Sequence, residues 1–393
     1  MAQQTLSELK QAFVKAYGLS TTNNPQTYFA PGRVNLIGEH IDYNGGMVLP
    51  VAISYGTYLM CAINNQHVFR FMSLNFEGIT EVPIEEPLKI SAYENNWCKY
   101  PLGVIDQFKK SGTKLLGIDF LYFGDLPYSA GLSSSASIEM VTAVAMNDLF
   151  NSNLSMVELV KIAKKAENEF VGVSCGIMDM FASGMGRKNH AMLLNCDTLD
   201  LKQVPFDTGD YTIIIMNTNK KRGLADSKYN ERVEECTMAL NAINSAYEYS
   251  NLCEIKPEEA EEALSLIDNE IIRKRASHVI SENKRVHLAV KALEQGNLIE
   301  FGKLMTASHK SLQDDYEETG LELDTIVELA LQQPGVLGAR MTGAGFGGCA
   351  ISLVKRSNVA DFIENTGKLY AKAVGLQAGF FPAEIECGAY RIA

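Results

Sequence analysis

Residues 30–46 read APGRVNLIGEHIDYNGG, which sets Arg33, Glu39, His40 and Asp42 within ten positions among glycines. A core strand does not tolerate that density of polar groups unless each one is paired. A strand opening into a turn does, because it projects several of them into one cavity, so the chain is expected to fold around a lined cleft. The carboxylates accept hydrogen bonds and the imidazole donates or accepts, a set suited to a polyol. A turn carrying a surface ion pair fits the same residues, and His40 taken alone reads more readily as a structural histidine than as a catalyst.

At 393 residues the chain exceeds the ~100–200 residues usual for one domain. Two domains are expected, residues 1–206 and 207–393, packed together. Thr5 to Glu8 has capping-box spacing, apolar Leu6, Leu9, Phe13 and Ala16 follow, and Gly18 stands where a helix would stop. Residues 28–73 have the texture of strands and turns, and 117–123 read as another strand. A helix is predicted from within Ser133 to Ser135, carrying Ile138, Val141, Ala145 and Leu149 on one face, and another after the capping box Ser155 to Glu158. The run TIIIM at 212–216 is a strand, followed by amphipathic helices predicted over 225–249, 257–269, 281–295 and 297–312, the last capped by Asn297 and Glu300. A glycine-rich turn enters the apolar strand CAISLV within 341–354, and a final helix is predicted over 358–374. The fold class is α+β.

An apolar fraction of 46% with 21% charged residues is that of an ordinary soluble protein, and no stretch reaches the ~20 apolar residues of a membrane span. The N-terminal residues carry no basic segment followed by an apolar core, so a cytoplasmic location is expected. Eight cysteines stand singly, without CxxC pairs, and read as reduced core residues. A net charge of −12 argues against nucleic acid and anionic membrane surfaces as partners. No interface signature stands out, and a monomer is expected.

Two further segments carry small residues at loop-to-element junctions. PYSAGLSSSAS, residues 127–137, lets the backbone approach a ligand closely, and the helix behind it offers free N–H groups and a positive dipole end to a phosphate. It is neither GxxxxGK[ST] nor GxGxxG, and simple N-capping accounts for the serines as well. MTGAGFGG, residues 341–348, has four glycines in six positions. A stretch of that kind passes tightly beside a ligand or another backbone. Asp179, in CGIMD, is a carboxylate in an apolar, small-residue run, which marks either a functional group or a buried structural cap.

Taken together, these segments resemble the GHMP kinase superfamily, and residues 32–46 resemble the galactokinase family signature GRVNLIGEHTDYNGG. The likeness spans essentially the whole chain. It implies an N-terminal mixed-sheet α/β domain and a C-terminal ferredoxin-like α/β domain with the active site between them. It also implies transfer of the γ-phosphoryl group of ATP to the C1 hydroxyl of galactose, the first committed step of galactose catabolism. On that resemblance Asp179 is the base and Arg33 the stabiliser of the transition state, while Glu39, His40, Ile41, Asp42, Gly176 and Tyr229 surround the sugar. Ser129, Ala130, Gly131, Leu132, Ser133, Ser134 and Ser135 wrap the ATP phosphates, with Ser73, Trp97 and Tyr100 at the nucleotide. Ser135 and Glu167 match the Mg²⁺ positions. The chain departs from the family at Ile41, commonly Thr, and at Met180, commonly Gln. An N-acetylgalactosamine or related sugar 1-kinase and a non-catalytic galactose sensor are the competing readings. The presence of Arg33, Ser135 and Asp179 favours catalysis over sensing.

Overall fold

The computed structural model describes residues 2–18, 24–84, 93, 96–127, 131–173, 175–220 and 225–392. Helix α1 (Ala2–Tyr17) leads into strands β1 (Gln26–Asn35), β2 (Met47–Val48), β3 (Pro50–Ile63), β4 (Val68–Ser73) and β5 (Ile79–Pro83). Then come α2 (Lys99–Lys110), β6 (Ile118–Gly124), α3 (Ser134–Leu149), α4 (Met156–Lys165), α5 (Met178–Met185), β7 (His190–Asn195) and β8 (Leu201–Pro205). The second half opens with β9 (Tyr211–Asn217), α6 (Ala225–Ile243), α7 (Ala260–Ser265), α8 (Glu270–Glu294), α9 (Leu298–Ser311) and α10 (Leu321–Leu331). It closes with β10 (Val336–Thr342), β11 (Cys349–Lys355), α11 (Val359–Val374), β12 (Gly379–Ala383) and β13 (Tyr390–Ile392).

Six strands form a mixed sheet in the order β13-β1-β3-β6-β4-β5, with β4 and β6 the parallel pair. A four-stranded antiparallel sheet, β10-β11-β9-β12, carries the second half, and β2-β7-β8 form a small third sheet. The final strand, β13, returns to pair with β1. One apolar core lies against the first sheet with α2 to α5. Another surrounds the second sheet, and it takes in Val34, Leu36, Ile37 and Ile41, while a third, smaller one packs α1 on the first sheet. The chain leaving β1 therefore crosses from the first core to the second, which puts its polar residues at the seam.

Within β1 the pairing register shifts between Pro31 and Arg33. A bulge of this kind re-aims the side chain that follows. Gly32 is required there, because a Cβ on it would lie 2.5 Å from Leu126 Cδ2 and 2.6 Å from the Leu132 carbonyl oxygen. The strand thereby passes directly beside the serine-rich loop.

Several boundaries differ from the sequence reading. Helix α1 starts at Ala2, so Thr5 lies within it; Ala2, Gln3 and Gln4 favour helix and extend it past the capping-box spacing. Helix α6 ends at Ile243 rather than 249, because Asn244 closes a loop with Tyr249 through both its amide groups. Helix α7 shrinks to Ala260–Ser265. Helix α8 begins at Glu270 rather than 281, capped by the Asn269 side chain on the N–H groups of Ile271 and Ile272. Its first turns bury Arg275, paired with Glu235 and Glu317, and that polar residue on the buried face hides the apolar period. The capping box at Ser155 and the Asn297 cap both form. The eight cysteines are thiols, but only Cys61, Cys98, Cys236 and Cys349 are buried and Cys387 is exposed, so the expectation of core thiols holds for half of them.

Candidate active site

The seam opens into a cavity of about 640 Å³. Arg33, Glu39, His40 and Asp42 line it from the signature, Cys175, Gly176 and Asp179 from the approach to α5, Tyr229 from α6, and Gly343 and Ala344 from the glycine-rich turn. Four segments distant in sequence thus meet around one space.

Arg33 and Asp179 form a fork. Arg33 Nε donates to Asp179 Oδ1 at 2.8 Å and Nη2 donates to Oδ2 at 2.9 Å, while Nη1 donates to the Gly131 carbonyl at 2.8 Å. Ser133 Oγ donates to Asp179 Oδ2 at 2.5 Å. Bidentate arginine–carboxylate pairs are the strongest and best oriented of the common ion pairs. Asp179 is 29% exposed and Arg33 7%, so the pair faces the cavity from its carboxylate side. By count, Oδ1 accepts one bond and keeps a lone pair.

The serines at the loop do not behave as simple caps. Ser133, at the N-cap of α3, sits in the left-handed region at φ 61° and makes no side-chain bond to the helix, its hydroxyl being committed to Asp179. The first-turn N–H groups of a 16-residue helix are left without that side-chain acceptor. Gly131 and Leu132 bind Arg33 through their carbonyls, Ser134 is exposed, and Ser135 stands in the first turn of α3. Ser129 and Ala130 lie outside the described residues.

Ser135 neighbours Glu167, whose carboxyl burial raises above its ordinary value, with the Cys175 and Ser135 side chains opposing the rise. One turn into α3, Glu139 is 0% exposed, and neither of its oxygens has a hydrogen-bond partner among the described residues. Burial and then Glu167 hold its carboxyl well above the usual range. Among the described residues no group of three or more His, Cys, Asp or Glu side chains converges as a metal site. The available donors are hard oxygens, one hydroxyl and one carboxylate. That set fits Mg²⁺, which takes one or two carboxylates and completes its shell with water and phosphate oxygens.

On the sugar side, Glu39 is 4% exposed and its carboxylate is heavily engaged. Oε2 accepts from Arg340 Nη1 at 2.8 Å and Asn35 Nδ2 at 2.6 Å, and Oε1 accepts from the Gly343 N–H at 2.8 Å. Glu39 therefore ties the signature to the glycine-rich turn while also lining the cavity. His40 adopts φ 61°, and burial holds its imidazole down at about 3, so the ring is neutral. Asp42 is pushed up to about 6 by its withdrawal from water, against its own and the Tyr43 N–H, with Asp179 adding to the rise. Gly176 brings its Cα close to Asp42, where a Cβ would touch Oδ2 at 3.4 Å.

Not every expected residue joins this set. Ile41 is 0% exposed and turns into the second core, where a Cβ on Gly46 would meet its side chain at 2.8 Å. Its apolar side chain takes the buried side of the turn while its neighbours take the wet side. Met180 is likewise in the first core, one position past Asp179 on α5, so both departures from the family pattern face away from the cavity. Trp97, Tyr100 and Ser73 lie outside the cavity. Trp97 stacks on Phe76 at 6.3 Å and meets Tyr122 edge-on at 5.3 Å, and Ser73 pairs with Tyr122 across β4 and β6. Tyr100 comes within electrostatic reach of Glu139 and Glu167.

Sequence reasoning missed the second-half residues that hold the signature. Glu282, on α8, accepts from the Gly38 N–H at 2.9 Å, Ser308 Oγ at 2.5 Å and Arg285 Nε at 2.6 Å. Burial would raise its carboxyl, yet Arg285 and the other donors bring it down to about 2. His278 Nε2 lies 3.2 Å from the Glu39 carbonyl. Arg340 was legible in principle, as a lone cation in the strand VLGARMT just before the glycines.

Comparison with known proteins identifies the family. A family model for the galactokinase galactose-binding signature matches residues 11–63, and models for the N-terminal and C-terminal GHMP kinase domains match 99–187 and 289–371. The chain is 48% identical to a galactokinase of Enterococcus faecalis, over 98% of this chain and 99% of that one. It is 46% identical to a galactokinase of Clostridium beijerinckii, over 99% and 100%. The solved structure of Lactococcus lactis galactokinase complexed with galactose superposes with a TM-score of 0.90 at 43% identity, covering 99% of this chain and 100% of that one. A mevalonate kinase structure shares the fold at a TM-score of 0.67 and 20% identity. With its sugar signature and its fork of Arg33 and Asp179 on one cavity, the chain belongs to the galactokinase family of the GHMP kinases.

Proposed function

We propose that this chain transfers the γ-phosphoryl group of ATP to the C1 hydroxyl of α-D-galactose, yielding galactose 1-phosphate and ADP. The observation that carries the reading is the fork of Arg33 and Asp179, which lines the cavity beside the signature turn and is bonded by Ser133 at the N-cap of α3. Asp179 takes the proton of the C1 hydroxyl, the oxygen bonds to the γ-phosphorus, and the bond to the bridging oxygen of ADP breaks. Arg33 stabilises the charge on the moving group, worth most in a site shielded from water. Because phosphoryl transfer is usually loose, positioning and electrostatics supply most of the rate and the base adds ~10²–10⁴-fold.

His40, Asp42, Gly176 and Tyr229 orient the sugar, and Glu39 contributes from its clamped position. The α3 N-terminus and the residues before it receive the phosphates, with Trp97, Tyr100 and Ser73 toward the nucleotide base. Ser135 and Glu167 would hold a Mg²⁺ ion, which would neutralise phosphate charge. We assign the halves 1–206 and 207–393 as the two domains, and the enzyme as a cytoplasmic monomer supplied by cellular ATP. Light scattering on the purified protein tests its mass in solution.

The deciding experiment measures ADP release with ATP and Mg²⁺ against galactose, N-acetylgalactosamine, glucose and arabinose. Turnover highest with galactose is expected. Absence of turnover with galactose overturns the proposal, and preference for N-acetylgalactosamine moves the substrate.

A further inference from the structure

His40 is held from behind by a chain of groups that runs from Tyr43 in the signature to Tyr316 and Cys236 in the second half. Its Nδ1 lies 3.0 Å from Tyr43 Oη, Tyr43 Oη lies 2.8 Å from Tyr316 Oη, and Tyr316 Oη lies 3.1 Å from Cys236 Sγ. Tyr316 is wholly buried where a π-helical turn, Leu312–Tyr316, ends α9, and its carbonyl accepts from Arg232 Nε at 2.8 Å. Cys236 is buried on α6. The Tyr316 ring also packs on His40, at 5.2 Å between centroids, and on His278 at 4.6 Å.

Each of the three links has one proton to share, so the chain runs one of two ways. In the first, Cys236 S–H donates to Tyr316, Tyr316 O–H to Tyr43, and Tyr43 O–H to His40 Nδ1. In the second, Nδ1–H donates to Tyr43 and the last proton is spent on sulfur. A phenol is a good donor and a poor acceptor, a bare imidazole nitrogen is a good acceptor, and sulfur is a weak partner in either role. The first direction makes the strong O–H···N bond and is favoured. It also leaves Nε2 carrying the ring's single proton. Nε2 is buried without a hydrogen-bond partner among the described residues, and the Ala344 backbone of the glycine-rich turn acts on that ring as an acceptor. A donor is the form of Nε2 that suits a carbonyl or a sugar oxygen there; a bare lone pair would repel both.

We propose that Tyr43, Tyr316 and Cys236 fix His40 as its Nε2–H tautomer, and that Tyr316 is a positioning residue of the sugar site. The tautomer assignment stands on the ligand-free chain, whereas its consequence for galactose rests on the function proposed above. Among the cavity's polar groups His40 is then a neutral donor beside the acceptor Asp42, which matches a hydroxyl that gives one hydrogen bond and takes another.

The test is nitrogen NMR of ligand-free protein labelled with ¹⁵N-histidine, with His40 identified by its loss in His40→Gln. Nε2 is expected in the protonated range and Nδ1 in the unprotonated range; the reverse pattern overturns the assignment. Tyr316→Phe keeps the ring contacts but removes the proton that reaches Tyr43, so Tyr43 becomes free to accept. Both His40 signals should then move toward averaged values, and galactose KM should rise ~2–10-fold, the value of one hydrogen bond, by more than kcat falls. Tyr43→Phe should move the Nδ1 signal without the buried change at Tyr316. Unmoved His40 signals in both variants refute the chain. An enzyme inactive on galactose with the expected signals would instead refute the function and leave the tautomer standing.

Discussion

Asp179→Asn exchanges one carboxylate oxygen for an NH₂ donor at a point where every protein partner is itself a donor. Arg33 Nε and Nη2 reach the two oxygens at 2.8 and 2.9 Å, and Ser133 Oγ reaches Oδ2 at 2.5 Å. An amide can accept from only one side of that fork, so either orientation sets an Arg33 N–H against an N–H. The base is lost as well, and general-base assistance of ~10²–10⁴-fold corresponds to about 3–5 kcal/mol of barrier. Loosening the fork adds to the loss by misplacing Arg33, since small displacements at a reacting centre are costly. We therefore expect kcat to fall at least a hundredfold. ATP affinity should change little, because the first turn of α3 keeps its N–H groups and Ser133 can redirect its hydroxyl. Coupled ADP release at saturating galactose reads kcat, and a nucleotide-binding titration reads the affinity. Turnover within tenfold of the parent would refute the assignment of Asp179 as base.

Three other outcomes follow from the same geometry. Arg33→Ala should lower kcat in steady-state assays, and a change confined to KM would mark Arg33 as a ground-state binder. Glu282→Ala leaves Arg285, Ser308 and the Gly38 N–H without their shared acceptor and should cost ~3–5 kcal/mol in urea unfolding at pH 7. The folded carboxyl lies at about 2, below its ordinary value, so its contribution is complete above the unfolded pKa. It fades as pH falls through about 2, and the gap between parent and variant should narrow in that direction; a gap independent of pH would exclude this origin. Ile41→Thr places a hydroxyl in the second core and should cost ~1–3 kcal/mol of stability, with galactose KM unchanged. A several-fold shift in KM would show that Ile41 acts on the sugar.

Short-range chemistry was the legible part of the chain. The Ser155 capping box and the Asn297 cap form because all their partners lie within three residues. The run at 212–216 is buried on both faces between β11 and β12, as a continuous apolar strand demands. Where a side chain answers to a distant partner, local reading failed. Ser133 looks like a cap yet serves Asp179, 46 residues on. The buried Arg275 disguised the start of α8 because its partners, Glu235 and Glu317, stand 40 and 42 residues away.

By itself the sequence determined which residue types bear the chemistry. Arg33, Asp42, Asp179 and the serines stand out as polar groups at turns and loop-to-element junctions, where ligand contact, capping and ion pairing were each open readings. The tertiary structure alone decided how the work is divided among them. Side-chain direction and partnership depend on contacts between segments that two separate cores bring together. Those contacts turn Ile41 and Met180 inward, clamp Glu39 against Arg340 and Gly343, and aim Arg33 past a bulge at Asp179. They also seat His40 on Tyr43 and Tyr316, 273 residues apart, a pairing that no local pattern encodes.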